Sequence, residues 1–365
     1  MATTGIDGES WEPAGLAGEL RGAHLVRIVS RADGDGLAAA AILGRALGEL
    51  GIPRHLSLSP AAAGAAPRLE EAGTPVTLGF PDLNRTCRSA SAARCAYDVA
   101  RELGIEPDPG LALAGSVAAG VEPQGRPLEA GRERGMSTRP GLAIPTGDLA
   151  TGLAHTGYLH ASFSGDVAAA RDFLAELGLP EEPGADARER LASAVALDAT
   201  DAPTSRAATA IERALAPRTS PTAFETIGGY ADVLTAAAAL EPGRALAALL
   251  GSADRETLLD LWTEYGAALH EGVEAVTADG AVATGRVEAI PPREVARLAR
   301  DFAVAADRVY VVGPDSLALA TAGAEARSVL ETRFESEAVI GTETLATARI
   351  DTDIESVRET IEGQQ

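Results

Sequence analysis

Two aspartates stand one residue apart among glycines in the stretch Arg31-Ala32-Asp33-Gly34-Asp35-Gly36. Carboxylates are hard oxygen donors suited to Mg²⁺ or Mn²⁺, and glycines let the backbone turn sharply. An apolar run, "HLVRIVS" (24–30), leads into this loop, and Leu43, Leu47 and Leu50 recur behind it at helical spacing until Gly51 and Pro53. That order places the acids at the C-terminal end of a buried strand, where parallel sheets bind ligands. It also places them at a helix N-terminus, where the backbone at Gly34 and Gly36 is suited to phosphate. Two-metal phosphoester hydrolysis needs several such carboxylates, usually with histidine. The same residues equally serve as a helix cap in a tight turn, with no metal involved. An EF-hand is excluded, because a strand precedes the loop and the downstream ligand spacing is missing.

The chain that must position these residues has 365 residues, enough for two medium domains. Its core is aliphatic, since 46% of residues are hydrophobic but only 4% aromatic. No apolar run is long enough to span a bilayer and the polar, acidic start is unlike a signal peptide. Two cysteines, Cys87 and Cys95, are too few for a disulfide framework, so buried free thiols in a cytoplasmic protein are expected. The 53 acids face 31 basic residues, all arginine, for a formal net charge of −22. An acidic, lysine-free, alanine-rich chain reads as a protein of a salt-loving archaeon, where concentrated salt screens self-repulsion. The charge argues against a basic nucleic-acid groove of the usual kind. Local arginines and stacking remain a way to hold a single strand.

"HLSLSP" and "TPVTLGF" (74–80) are further strand candidates, and "SAARCAYDVARELGI" (91–105) an amphipathic helix. Alternating strands and helices predict an α/β fold with an N-terminal parallel sheet. The region from about 165 reads as a helical connector through "GDVAAARDFLAELGLP", "ADARERLASAVALDA" and "SRAATAIERALAP". A Pro/Thr-rich break at 216–224 is the expected boundary to a smaller C-terminal α/β domain, in which Asp279-Gly280 marks a hairpin. The resulting division is a flexible acidic tail (1–21), a domain with its connector (22–215) and a second domain (222–365).

Other polar residues are less directive. His155 and His160 are five apart, which does not put them on one helix face; with Asp166 they form either a loop site or unrelated surface and capping groups. His55 and His270 lie in apolar patterns and read as structural. Trp11 and Trp262 suggest no base-stacking platform. Arg139, Arg244, Arg286 and Arg297 suit phosphate or the abundant acids.

"VSRADGDGLAAAAIL" resembles the first motif of the DHH phosphoesterase superfamily, roughly S-H-x-D-x-D-G-x-x-[SA]-A-x-x-L, and is closest to archaeal RecJ-like proteins including the GINS-associated nuclease. "LALAGSVAAGVEP" (111–123) and "FETIGGYADVLTAAAALEPGRALAALLG" (224–251) resemble later family segments in order. The resemblance implies a DHH domain followed by a DHHA1-like domain. It also implies Mn²⁺ or Mg²⁺ as cofactor, a role in DNA replication or repair, single-stranded nucleic acid as ligand and partners such as GINS. Against that pattern, Arg31 stands where the family has a metal-binding histidine, and an arginine keeps its proton. The second-strand acid has only Asp82 nearby, Ala119 and Gly120 replace a further aspartate, the Asp-His-His triplet is absent, and "VIGTET" (339–344) lacks the glycine-rich loop's histidine. With Asp33, Asp35 and Asp82 as residual ligands, these departures imply a retained fold, no tightly held metal, a hydrolytic centre mostly lost and a binding or scaffold role. The alternative is an active metal-dependent 5′→3′ single-strand exonuclease. A third reading, hydrolysis of small oligonucleotides or cyclic dinucleotides, faces the same missing ligands.

Overall fold

Val26–Arg31 forms β1, the middle strand of a three-stranded parallel sheet ordered β2-β1-β3, with β2 at Arg54–Ser59 and β3 at Thr74–Leu78. The computed structural model describes residues 12–81, 83, 89–179, 184–201, 203–220, 223–252, 254–334, 339–350 and 353–362. Around this sheet lie α1 (Pro13–Arg21), α2 (Gly34–Glu49), α3 (Ala62–Leu69), α4 (Ala92–Glu102), α5 (Pro109–Ala118) and α6 (Arg126–Glu133). Next come α7 (Leu149–His155), α8 (Val167–Glu176), α9 (Ala185–Thr200), α10 (Ala207–Ala210), α11 (Ile227–Leu240), α12 (Pro242–Leu249) and α13 (Arg255–Glu274). The rest alternates: β4 (Thr277–Asp279), β5 (Val282–Arg286), α14 (Pro292–Leu298), β6 (Arg308–Val312), β7 (Leu317–Thr321), α15 (Ala326–Arg333), β8 (Val339–Gly341), β9 (Leu345–Ala348) and α16 (Ile354–Glu362).

The chain divides into two compact units, Met1–Thr138 with Arg218–Trp262, and Arg139–Pro217 with Thr263–Gln365. The division is therefore not the single break expected at 216–224. Physically, α11 packs against α5 and α2, so residues beyond that break complete the first unit's core. The expected tail also differs: residues 13–21 are helical, with Pro13 at the start and Leu16, Ala17 and Leu20 buried, and α1 packs on α4. "SRAATAIERALAP" forms only the short α10 and a 3₁₀ turn at Ile211–Arg213. Cys95 is disulfide-bonded rather than a free thiol. Cys87 lies outside the described residues.

In the first unit, α2 is the central element, packing on β1, α4, α5, α11 and α12. Gly34 to Leu47 are all buried except Arg45, as expected of a helix apolar on nearly every side. Its small residues permit that enclosure: a β-carbon on Gly44 would lie 2.8 Å from Leu56. The buried Trp262 donates its indole N–H to Asp232 of α11 at 2.9 Å, fastening the start of α13 to the same core.

The second unit holds a six-stranded mixed sheet ordered β4-β5-β6-β7-β9-β8, and β4 and β5 form the hairpin expected around Asp279-Gly280. Tyr310, Val312, Leu317 and Leu319 pack with Leu330 of α15 and Val357 of α16. The alternating residues Val309, Val311, Ala318 and Ala320 are buried too, so both faces of these strands are covered. No helix among the described residues is long and apolar enough to cross a membrane.

Replacing the fully buried Leu43 of α2 by alanine should destabilise the first unit by about 2–5 kcal/mol. Denaturant unfolding followed by the fluorescence of Trp262 measures this, and an unchanged midpoint would show that α2 is not the centre of that core.

Candidate functional site

β1 ends at Arg31, and the chain turns through Ala32 into Asp33, the extended N-cap residue of α2. One Asp33 oxygen accepts the Gly36 amide at 2.8 Å; the other accepts the Arg31 Nε–H in an ion pair. The Ser30 hydroxyl donates to the Gly36 carbonyl at 2.7 Å. A β-carbon on Gly36 would fall 2.1 Å from the Arg31 carbonyl oxygen, and one on Gly34 would fall 2.9 Å from the Ala118 β-carbon and 3.2 Å from the Thr235 nitrogen. Both glycines are thus required by close packing, and the Gly36 amide is already occupied.

Asp35, in the first turn of α2, is 3% exposed. Its carboxylate accepts the Ser91 hydroxyl at 2.7 Å, the Ala92 amide at 2.7 Å and the Ala93 amide at 2.9 Å. Ser91 is itself the N-cap of α4, accepting the Arg94 amide at 3.2 Å, and the Ser116 hydroxyl of α5 donates to it at 3.0 Å. Asp35 therefore caps α4 from a different helix, where a negative charge meets the positive end of the helix dipole. Burial pushes its carboxyl up to about 6, against the downward pull of these hydrogen bonds, and neighbouring Asp33 adds an upward push.

A divalent ion needs several oxygen donors that are open to it, and existing donors on a carboxylate, above all a guanidinium, compete with it. Here Asp33 is divided between Arg31 and Gly36, and Asp35 is buried under three donors from the start of α4. The residues present do not fit a two-ion centre. Among the described residues no three His, Cys, Asp or Glu side chains gather as a metal site. Ala119, at the C-cap of α5, is exposed and brings only a methyl group. Asp82 lies outside the described residues.

A separate polar cluster lies in the second unit. His270 of α13 is fully buried, and its Nε2 is 3.2 Å from the Thr156 carbonyl oxygen while its Nδ1 is 3.1 Å from His160 Nδ1. A carbonyl only accepts, so His270 carries its proton on Nε2 and His160 donates from Nδ1. Burial pushes His160 down to about 4; it also pushes His270 down to about 3, aided by the charges that His160, His155 and Arg297 would set against it. His155 ends α7, with its Nδ1 bonded to the Thr151 carbonyl at 3.0 Å, and Asp166 caps α8. Histidine spacing gave no signal for this dyad, because its members are 110 residues apart. Ser91 was readable as a helix start; its bond to Asp35 was not, for the same reason of distance in the chain.

This architecture is similar to two solved structures. Exonuclease RecJ bound to manganese aligns with a TM-score of 0.51 at 16% identity, covering 96% of this chain and 93% of that one. CDC45 from Entamoeba histolytica aligns with a TM-score of 0.53 at 8% identity, covering 95% and 97%. The chain thus has a RecJ-like fold. It belongs to the same family as the uncharacterized protein rrnAC1427 of Haloarcula marismortui, to which it is 40% identical across 96% of each chain. No protein-family profile matches it.

Asp35→Ala should destabilise the first unit by about 2–4 kcal/mol through its stranded donors, in buffer free of divalent ions. An unchanged denaturation midpoint would mean that the carboxylate does not hold α4. The histidine dyad predicts acid sensitivity in the second unit. Both folded pKa values lie below the ordinary 6.5, so their neutral forms support the fold fully above about pH 6.5. That contribution is lost as pH falls towards 4 and then 3. The loss is on the order of several kcal/mol. Stability curves in molar KCl from pH 7 to 4, taken beside a His160→Asn/His270→Asn variant, test it: equal acid slopes in both proteins would reject the assignment.

Proposed function

We propose that this chain is a non-hydrolytic DHH-fold protein of DNA replication or repair, acting as a binding or scaffold subunit. One observation carries the reading: both loop aspartates are spent on holding the protein together, Asp33 on Arg31 and the start of α2, Asp35 on the start of α4. A hydrolytic centre of the two-metal kind needs those carboxylates free, together with additional donors. The similarity of fold to CDC45 and RecJ supports a setting in DNA metabolism, with replication proteins such as GINS, and single-stranded DNA, as the partners to try first. The competing reading, a manganese-dependent 5′→3′ exonuclease, draws on the fold shared with manganese-bound RecJ and on the presence of Asp33 and Asp35.

The experiment that separates them is degradation of 5′-labelled single-stranded DNA with Mn²⁺ in molar KCl, run beside Asp33→Ala. The expected result is no metal-dependent cleavage by either protein. Cleavage that is abolished by Asp33→Ala would establish the exonuclease and end the scaffold reading.

A further inference from the structure

Arg31 is positioned by a space made for it. It is the last residue of β1, and the parallel register that pairs Ser30 with Leu78 brings Gly79 beside it, just past the end of β3. Gly79 has a φ of +79°, and a β-carbon there would lie 3.1 Å from the Arg31 β-carbon, 3.8 Å from its Nε and 3.9 Å from its Cζ. Any larger residue at 79 would press on the arginine and meet a backbone conformation that L side chains rarely adopt. The arginine side chain thus lies along bare backbone at one strand end and aims its Nε–H at Asp33, across the turn from the adjoining strand. The side chain is about one-third exposed, at 34%, and Asp33 at 38%, so the pair stands at the mouth of the loop. The loop brings two carboxylates within one helical turn, and the negative charge of Asp33 already raises the cost of ionising Asp35. A positive charge beside Asp33 offsets that repulsion. A hydrated Mg²⁺ or Mn²⁺ on Asp33 would do the same in solution chemistry, but the guanidinium, which keeps its proton, stands on the same carboxylate.

We infer that Arg31 is a built-in counter-cation: its guanidinium takes the position on Asp33 that a divalent ion would otherwise occupy, and makes this strand end independent of metal. The inference extends the non-hydrolytic reading of the site. It makes a statement that reading does not, namely that Arg31 competes directly with cations for the Asp33 carboxylate, over and above the scarcity of further donors around it. Shortening that side chain should admit them.

The test is Mn²⁺ binding in molar KCl, measured by the loss of the free-ion electron paramagnetic resonance signal and by thermal shift. Wild type, Arg31→His and Arg31→Ala are compared, with Arg31→His/Asp33→Asn as control. The wild type is expected to bind no Mn²⁺ in the millimolar range and to melt identically with manganese or EDTA. Arg31→His supplies an imidazole donor and frees Asp33; it is expected to bind Mn²⁺ and to gain roughly 2–4 °C in midpoint, with the control silent. Arg31→Ala serves if the histidine variant does not fold, with the same binding expected more weakly. Mn²⁺ bound by the wild type at Asp33, or no binding by any folded Arg31 variant, would overturn the inference. The two readings fail separately: DNA cleavage by a wild type that binds no Mn²⁺ at Asp33 would remove the scaffold reading alone. Mn²⁺ held at Asp33 without cleavage would remove the role of Arg31 alone.

Discussion

The contact between the Asp35 carboxylate and the start of α4 organises the first unit. A helix leaves its first amides without partners, and α4 begins inside the protein, where water is not at hand to satisfy them. Asp35 supplies two of those acceptors and a third to Ser91, from the first turn of a helix that is itself enclosed. Burying a carboxylate is unfavourable unless charge-assisted hydrogen bonds repay it, which is why its ionisation is displaced upward and yet three donors converge on it. The close approach of α2, α4 and α5 has the same origin. A β-carbon on Gly115 would lie 2.5 Å from Ala93, 2.8 Å from Ala38 and 3.4 Å from the Asp35 carboxylate, so the three helices can meet around the acid only where side chains are small.

The second unit solves the same problem with cations and imidazoles. Arg206 reaches from the α10 region to the carbonyl oxygens of Arg300, Val304 and Ala306, binding the π-turn at Ala299–Ala303 and the chain that leaves it. Arg297 is buried, donates to Glu294 at 2.6 Å and to the Gly157 carbonyl, and lies near Asp301. That carbonyl is next in the chain to the Thr156 carbonyl that receives His270. One stretch of backbone with no regular partner is therefore satisfied from two helices, α13 and α14. With aromatics only 4% of the chain, bulky side chains contribute little to shape the interior, and buried polar contacts of this kind fix which packing is adopted.

The first three strands and the Asp-Gly hairpin were legible in the sequence, because they depend on local periodicity and turn chemistry: β1, β2 and β3 fall where their apolar runs lie. What was hidden depends on pairs distant in the chain. The return of α11 to the first unit cannot be read from a proline-rich break, since a break marks a turn in the backbone and not which core the next helix joins. The helix at 13–21 was masked by an acidic composition, although Leu16, Ala17 and Leu20 follow helical spacing. At the candidate site, the loop and its cap were legible in Asp33 and Gly36. The destination of Asp35 was not, because its donors are 56 to 58 residues away.

The letters D-x-D-G at a strand end do not by themselves separate a metal loop from a capping loop, since both want short acids that point inward and glycines that let backbones approach. The separation comes from what else competes for the carboxylate oxygens. A hydroxyl and two amides at residues 91–93 and a guanidinium at residue 31 are fixed donors, present whatever the solution contains. An ion binds only in proportion to its concentration and must displace them. In a chain where 53 acids share 31 arginines, an arginine seated beside two neighbouring acids is a commitment of scarce positive charge. The Arg31–Asp33 pair offsets part of the negative charge gathered in this loop, and the donors on Asp35 offset the cost of burying the rest.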